Sequence, residues 1–68
     1  MQIQVNGEAR EVPPGTSLES LVQLLALTPE RLALELNLEV VRRADWSRIM
    51  LSENDRIEIV HFVGGGRC

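Results

Sequence analysis

The sequence predicts an α+β domain in two layers, a mixed sheet of four to five strands with one main helix packed on one face. Three observations lead there. Residues 2–6 and 56–63 alternate polar and apolar, the period of a half-buried strand. Between them, one segment following Thr16 carries the apolar spacing of an amphipathic helix. Turn-forming residues punctuate the chain at Asn6-Gly7, Pro13-Pro14-Gly15 and Ser52-Glu53-Asn54-Asp55.

The elements follow in order. In residues 2–6, Ile3 and Val5 share one face. Asn6-Gly7 is the strongest short signal for a type I′ hairpin turn, and residues 8–12 read as the returning strand. Pro13-Pro14 ends that strand, because proline cannot donate to a ladder. Thr16 then opens a helix. Its spacing to Glu19 matches a capping box, in which each side chain satisfies a backbone N–H near the other. Leu18, Leu21, Val22 and Leu25 form the buried stripe, widened by Leu24 and Leu27. Thr28-Pro29 stops the helix and can start a short second turn, since proline suits a first helical position.

Residues 32–37 alternate again, with Leu32, Leu34 and Leu36 on one face and Glu35 on the other. Glu39-Val40-Val41-Arg42 reads as a short strand after a turn at Asn37-Leu38. Ala44-Asp45-Trp46-Ser47 reads as a loop or single turn. In the last strand, residues 56–63, Ile57 and Ile59 point one way while Glu58, Val60 and Phe62 point the other. The order is β-β-α-β-β-β. First and last strands could pair in parallel at the sheet centre, with the helix across one face; that is a β-grasp, the ubiquitin-like arrangement, a topology that rests partly on the family resemblance given below. The domain is expected over residues 1–63, followed by a flexible tail, residues 64–68.

Composition narrows the function. The chain has 68 residues, 44% hydrophobic and 25% charged, with a formal net charge of −3. That describes one small globular domain with no room for a second. No apolar stretch approaches the roughly 20 residues that span a bilayer, and the start MQIQVNGEAR lacks the pattern of a secretory signal. The acidic balance argues against nucleic-acid binding, which needs clustered positive charge. Every basic residue is arginine, which removes lysine nucleophiles, Schiff bases and the P-loop lysine. One cysteine cannot form an internal disulfide, so a reducing cytoplasm is the expected location. A domain this small buries only about 60% of its extended surface. A drug-sized pocket would consume much of such a core, so any chemistry is expected at the surface or the tail.

The tail is the most informative segment. The last strand runs without a spacer into Gly64-Gly65-Gly66, then Arg67-Cys68. Three glycines extend about 10 Å when stretched, and without side chains they can thread a narrow channel in a partner. A glycine carboxylate has no Cβ to obstruct an approaching phosphate or sulfur, but it is a poor electrophile until activated, for example as an acyl-adenylate. The tail thus reads as an acyl-group handle. With no GxxxxGK[ST] loop and no lysine, this chain is not suited to cradle ATP, so a separate enzyme must activate it.

The start MQIQVNGE, the segment PPGTSLESLV, the pattern LNLEVVRRADW and the end LSENDRIEIVHFVGGG together resemble the ThiS family, the sulfur carrier proteins of thiamine (thiazole) biosynthesis. The resemblance covers the chain through Gly66. It implies that the chain is a protein co-substrate and not an enzyme. An E1-like adenylyltransferase, using MgATP, would adenylate Gly66. Sulfur from a cysteine desulfurase or related donor would displace AMP to give a thiocarboxylate, and thiazole synthase would take that sulfur. The chain itself would bind no cofactor.

Family members generally stop at the di-glycine, whereas this sequence continues with Arg67-Cys68. Three readings stand. In the first, a protease removes the two residues from a precursor. In the second, Cys68 carries sulfur as a persulfide or cross-links to a partner thiol. In the third, the extension is inert. The related alternatives for the whole protein are a carrier for molybdopterin or another sulfur metabolite, a ubiquitin-like modifier conjugated through Gly66, and a plain interaction domain. Lacking lysine, a modifier of this kind could not build chains on itself.

Other residues carry weaker signals. His61 is the single histidine, and without partners at ligand spacing it is a poor metal ligand; a structural or surface role is expected. Trp46 reads as a core or loop anchor. Glu35, Glu39 and Glu58 read as solvated, with the capacity to steer a basic partner. If the helix covers Ile57 and Ile59, then Val60 and Phe62 lie exposed beside the tail, a candidate docking patch for the activating enzyme.

Overall fold

The computed structural model of the chain describes residues 1–62. Its elements are β1 (Gln2–Val5), β2 (Glu8–Glu11), α1 (Leu18–Leu24), a 3-10 turn (Pro29–Arg31), β3 (Leu32–Leu36), β4 (Glu39–Val41), a second 3-10 segment (Arg43–Arg48) and β5 (Arg56–His61). The five strands form one sheet in the order β2-β1-β5-β3-β4. β1 runs parallel to β5, and all other pairs are antiparallel. First and last strands therefore lie side by side inside the sheet, with α1 across one face. This is the predicted β-grasp.

Both hairpins turn through left-handed backbone. Asn6 and Gly7 have φ of 51° and 83°, and Val5 pairs with Glu8 across them, as a type I′ turn requires. A Cβ on Gly7 would meet nothing within 4 Å, so the need for glycine there is conformational and not spatial. Asn37 and Leu38 repeat the geometry, with φ of 51° and 74°, between paired Leu36 and Glu39.

The helix differs from expectation at both ends. Its N-cap is Ser17, whose Oγ accepts the Ser20 N–H at 3.0 Å. Thr16 instead donates its hydroxyl to the Pro13 carbonyl at 2.6 Å and closes the preceding turn. The shift has a tertiary cause. Leu18 N–H donates to the Ile49 carbonyl and Leu51 N–H to the Thr16 carbonyl, so residues 16–18 are held extended against residues 49–51 and helical geometry starts one residue later. Glu19 then falls at the second helical position and forms no capping box. At the other end, Ala26 adopts φ 57°. Its N–H donates to Gln23 and that of Leu27 to Val22, a Schellman motif that ends the helix before Thr28-Pro29. Leu24, on the last turn of this seven-residue helix, is 61% exposed and lies outside the stripe.

The core contains the predicted strand and helix residues and adds Val12 and Leu51, which the sequence pattern did not single out. Ile3 and Val5, Leu32 and Leu34, and Ile57 and Ile59 bury one face of the three inner strands, covered by Leu18, Leu21 and Val22 of α1. Leu25 and Leu27 pack at its margin. Trp46 is buried in the 3-10 segment facing α1, and its indole N–H donates to the Val41 carbonyl at 3.0 Å. It anchors both loop and core.

Candidate functional site

The described residues nearest the expected acyl site are those at the end of β5. β5 is held on one side by β3, in register from Leu36↔Ile57 to Leu32↔His61. Phe62 N–H then donates to the Arg31 carbonyl at 2.8 Å. On the other side β1 stops at Val5, but its role is continued by Asn6. The Asn6 backbone N–H donates to the Ile57 carbonyl, and its side chain brackets Ile59, accepting the Ile59 N–H at Oδ1 (2.7 Å) and donating from Nδ2 to the Ile59 carbonyl (3.3 Å). The strand is thus hydrogen bonded through Phe62, the last described residue. Asn37 does the same at the start of β5, accepting the Arg56 N–H at 3.0 Å while its own N–H donates to the Arg56 carbonyl. Neither asparagine was singled out from sequence beyond its turn.

Gly66, the residue expected to carry the acyl chemistry, lies outside the described residues. So do Gly64, Gly65, Arg67, Cys68 and the end of the predicted strand at Val63.

The sheet face opposite α1 presents the candidate docking patch. Val60 is 54% exposed and Phe62 56%. Val60 stands across from Ala33, and in the neighbouring row Glu58 faces Glu35, which in turn faces Val40. Val40, 73% exposed, joins the apolar surface on this face. Its polar-apolar alternation with Glu39 hinted at this, but only the β3–β4 register places it beside Glu35. Directly opposed Glu35 and Glu58 repel each other across the strands. Glu39 pairs with Leu36 and so belongs to the other face, apart from that acidic pair.

On the helix side, His61 lines an open groove of about 350 Å³ together with Arg10, Ile59, Leu25 and Leu27. The groove exists because Arg10 and Glu8 occupy the inward positions of β2 beyond the reach of the short helix. Among the described residues, no group of three His, Cys, Asp or Glu side chains is arranged to hold a metal ion. No helix among them is long and apolar enough to cross a membrane.

Known proteins share this architecture. Residues 3–66 match the sequence model of the ThiS family. The crystal structure of the thiamine biosynthesis protein ThiS from Geobacter metallireducens superposes with a TM-score of 0.84 at 29% identity, covering 97% of this chain and all of that one (100%). A solution structure of a thiamine biosynthesis protein from the same organism gives a TM-score of 0.81 at 28% identity, over 100% of this chain and 91% of that one. A thiazole synthase from Magnetococcus marinus is 45% identical over 67 residues, 98% of this chain but 21% of that protein. One from Paramagnetospirillum magneticum is 33% identical over 97% of this chain and 20% of its own length. This chain therefore spans about a fifth of those two relatives. The uncharacterised protein ycf40 of Trieres chinensis is 36% identical over 91% of this chain and 85% of its own length.

Proposed function

The chain belongs to the ThiS family, and on that basis we propose that it is a sulfur carrier protein of thiamine (thiazole) biosynthesis. The observation that carries the reading is where the family match stops. It runs through residue 66, so it takes in all three glycines and leaves out Arg67 and Cys68. The folded part supports the same chemistry. β5 is fixed by hydrogen bonds on both flanks, so the strand that leads toward the glycines is held in place through Phe62.

The mechanism divides the labour. This chain contributes an unhindered glycine carboxyl at Gly66 and a surface that brings it to partners. An E1-like adenylyltransferase holding MgATP activates the carboxyl. The outer sulfur of a persulfide on a donor such as a cysteine desulfurase then attacks the Gly66 carbonyl carbon and AMP leaves; a thiol reductant cleaves the S–S bond of the resulting acyl disulfide, releasing the donor thiol and leaving a thiocarboxylate. The Val60–Phe62 patch docks the adenylyltransferase, and the Glu35–Glu58 pair steers basic groups on that partner toward it. The chain is a co-substrate and not the catalyst. Thiazole synthase is the acceptor, a choice favoured over a molybdopterin route by the name that two relatives containing a homologous segment carry. A carboxyl exists at Gly66 only when nothing follows it, so a protease removes Arg67-Cys68 before activation.

ATP–pyrophosphate exchange with the adenylyltransferase tests this reading. Exchange is expected with a chain ending at Gly66 and not with one ending at Cys68. Equal exchange by both contradicts the processing step. Exchange by neither contradicts the acyl-handle role of Gly66.

A further inference from the structure

All seven basic residues of this chain are arginine and none of its 68 residues is lysine. Tyrosine is absent, and the single cysteine is Cys68. The fold does not demand this. The six arginines among the described residues, including Arg10, Arg31, Arg42 and Arg56, are all exposed. Of these, only Arg48 forms an ion pair there, with Asp45. The forked geometry that favours a guanidinium over an ammonium is otherwise unused. The consequence is chemical. A guanidinium stays protonated and does not attack acyl groups, whereas lysine supplies a nucleophilic amine.

The other amine of these residues belongs to Met1, and it is engaged. Its ammonium donates to the Val12 carbonyl at 2.8 Å and lies 3.6 Å from the Glu11 carboxylate. Val12 N–H donates back to the Met1 carbonyl at 2.9 Å. The two exchanges extend the β1–β2 ladder by one pair, so the Met1 nitrogen must break strand-end contacts and lose a proton before its lone pair can react.

We propose that this domain is inert toward an activated C-terminus of its own kind: residues 1–68 offer a Gly66 acyl-adenylate no lysine amine, and the Met1 nitrogen, where it stands as a free amine, is held in the strand ladder. The inference rests on the reading of Gly66 as the acyl carrier. In the reaction avoided, an amine lone pair attacks the Gly66 carbonyl carbon and a C–N bond forms. The bond from that carbon to the phosphate oxygen breaks, AMP leaves with the electron pair, and the surplus amine proton passes to water. The amide product is stable, so each such event removes a carrier permanently. Sulfur, the intended nucleophile, then meets no amine competitor on neighbouring carriers. Loss of Arg67-Cys68 also removes the thiol. His61 remains, but an acyl-imidazole hydrolyses back to the carboxylate.

Two measurements on the protein expressed in its native host and isolated as the form ending at Gly66 test the proposal, both read by intact mass. With N-hydroxysuccinimidyl acetate, Met1 is expected to acetylate about tenfold or more slowly in the folded protein than in guanidinium chloride. Arg42→Lys, an exposed position, is expected to gain one fast-reacting site. With the adenylyltransferase and MgATP, wild type is expected to stay monomeric while Arg42→Lys accumulates amide-linked dimers. Fast acetylation of folded Met1, or activated Arg42→Lys without linked species, overturns the proposal. If neither protein is activated at all, the Gly66 reading fails and takes the purpose of the lysine-free surface with it. The acetylation rates still report on amine protection by themselves.

Discussion

The side chain of Asn6 brackets the backbone of Ile59, accepting its N–H at 2.7 Å and donating to its carbonyl at 3.3 Å. Asn6 sits in left-handed backbone at the first position of the β1–β2 turn. There it can no longer extend β1, yet its amide supplies both groups that a strand neighbour would. β5 therefore stays paired after β1 has turned away, and its backbone at Ile59 is fixed by a turn residue distant in sequence.

Asn6→Ala should thus cost more than a surface turn substitution. Both Ile59 groups are left part-buried without partners, a loss of about 2 kcal/mol. Asn6→Asp retains the acceptor for the Ile59 N–H and should lose less. Urea unfolding measures both, and an Asn6→Ala midpoint equal to wild type would show that the bracket contributes nothing.

The position of the helix cap is open to a paired test. Ser17→Ala should destabilise by about 1 kcal/mol, the usual cost of losing a cap. Glu19→Ala should change stability by less than about 0.5 kcal/mol, because no capping box forms. The reverse order would restore Thr16 as the cap.

Leu38 is held at φ 74° and is 80% exposed. A branched side chain in left-handed backbone costs about 1 kcal/mol, and burial returns little of it here. Leu38→Gly should raise stability by about 0.5–1 kcal/mol, net of the added freedom of glycine in the unfolded chain. A lower melting temperature would mean that Leu38 packs in a way its exposure conceals.

The outer sheet face should separate stability from activity. Phe62→Asp is expected to leave the unfolding midpoint nearly unchanged, since the side chain is half exposed, while raising the KM for adenylation about tenfold or more. Glu58→Gln should stabilise the free protein by about 0.3–0.5 kcal/mol through relief of its repulsion with Glu35. The same substitution should slow association with the activating enzyme and weaken its salt dependence. Unaltered adenylation kinetics in both variants would remove this face from the docking interface.

What could be read from the chain was local. Alternation set the faces of Ile3, Val5, Ile57 and Ile59, and the Asn6-Gly7 turn set the register of the first hairpin. What required the fold was non-local. The cap moved from Thr16 to Ser17 because residues 49–51 pair with residues 16–18. The helix stopped early at Ala26, a residue with no turn signature, which left Leu24 in solvent. Val40 joined the exposed face of Val60 only through the β3–β4 register, and Asn6 and Asn37 gained their second roles only once β5 lay between their strands. Gly66 is the opposite case. Its role was inferred from sequence pattern and resemblance, and it lies beyond the described residues.

Intact mass spectrometry of the protein isolated from its native host is the most direct test of the proposed carrier role. The expected species ends at Gly66 and has one carboxyl oxygen replaced by sulfur. A full-length chain bearing extra sulfur on Cys68 would move the chemistry to the thiol. A chain ending at Cys68 with no sulfur added, in cells making thiazole, would contradict the thiocarboxylate carrier.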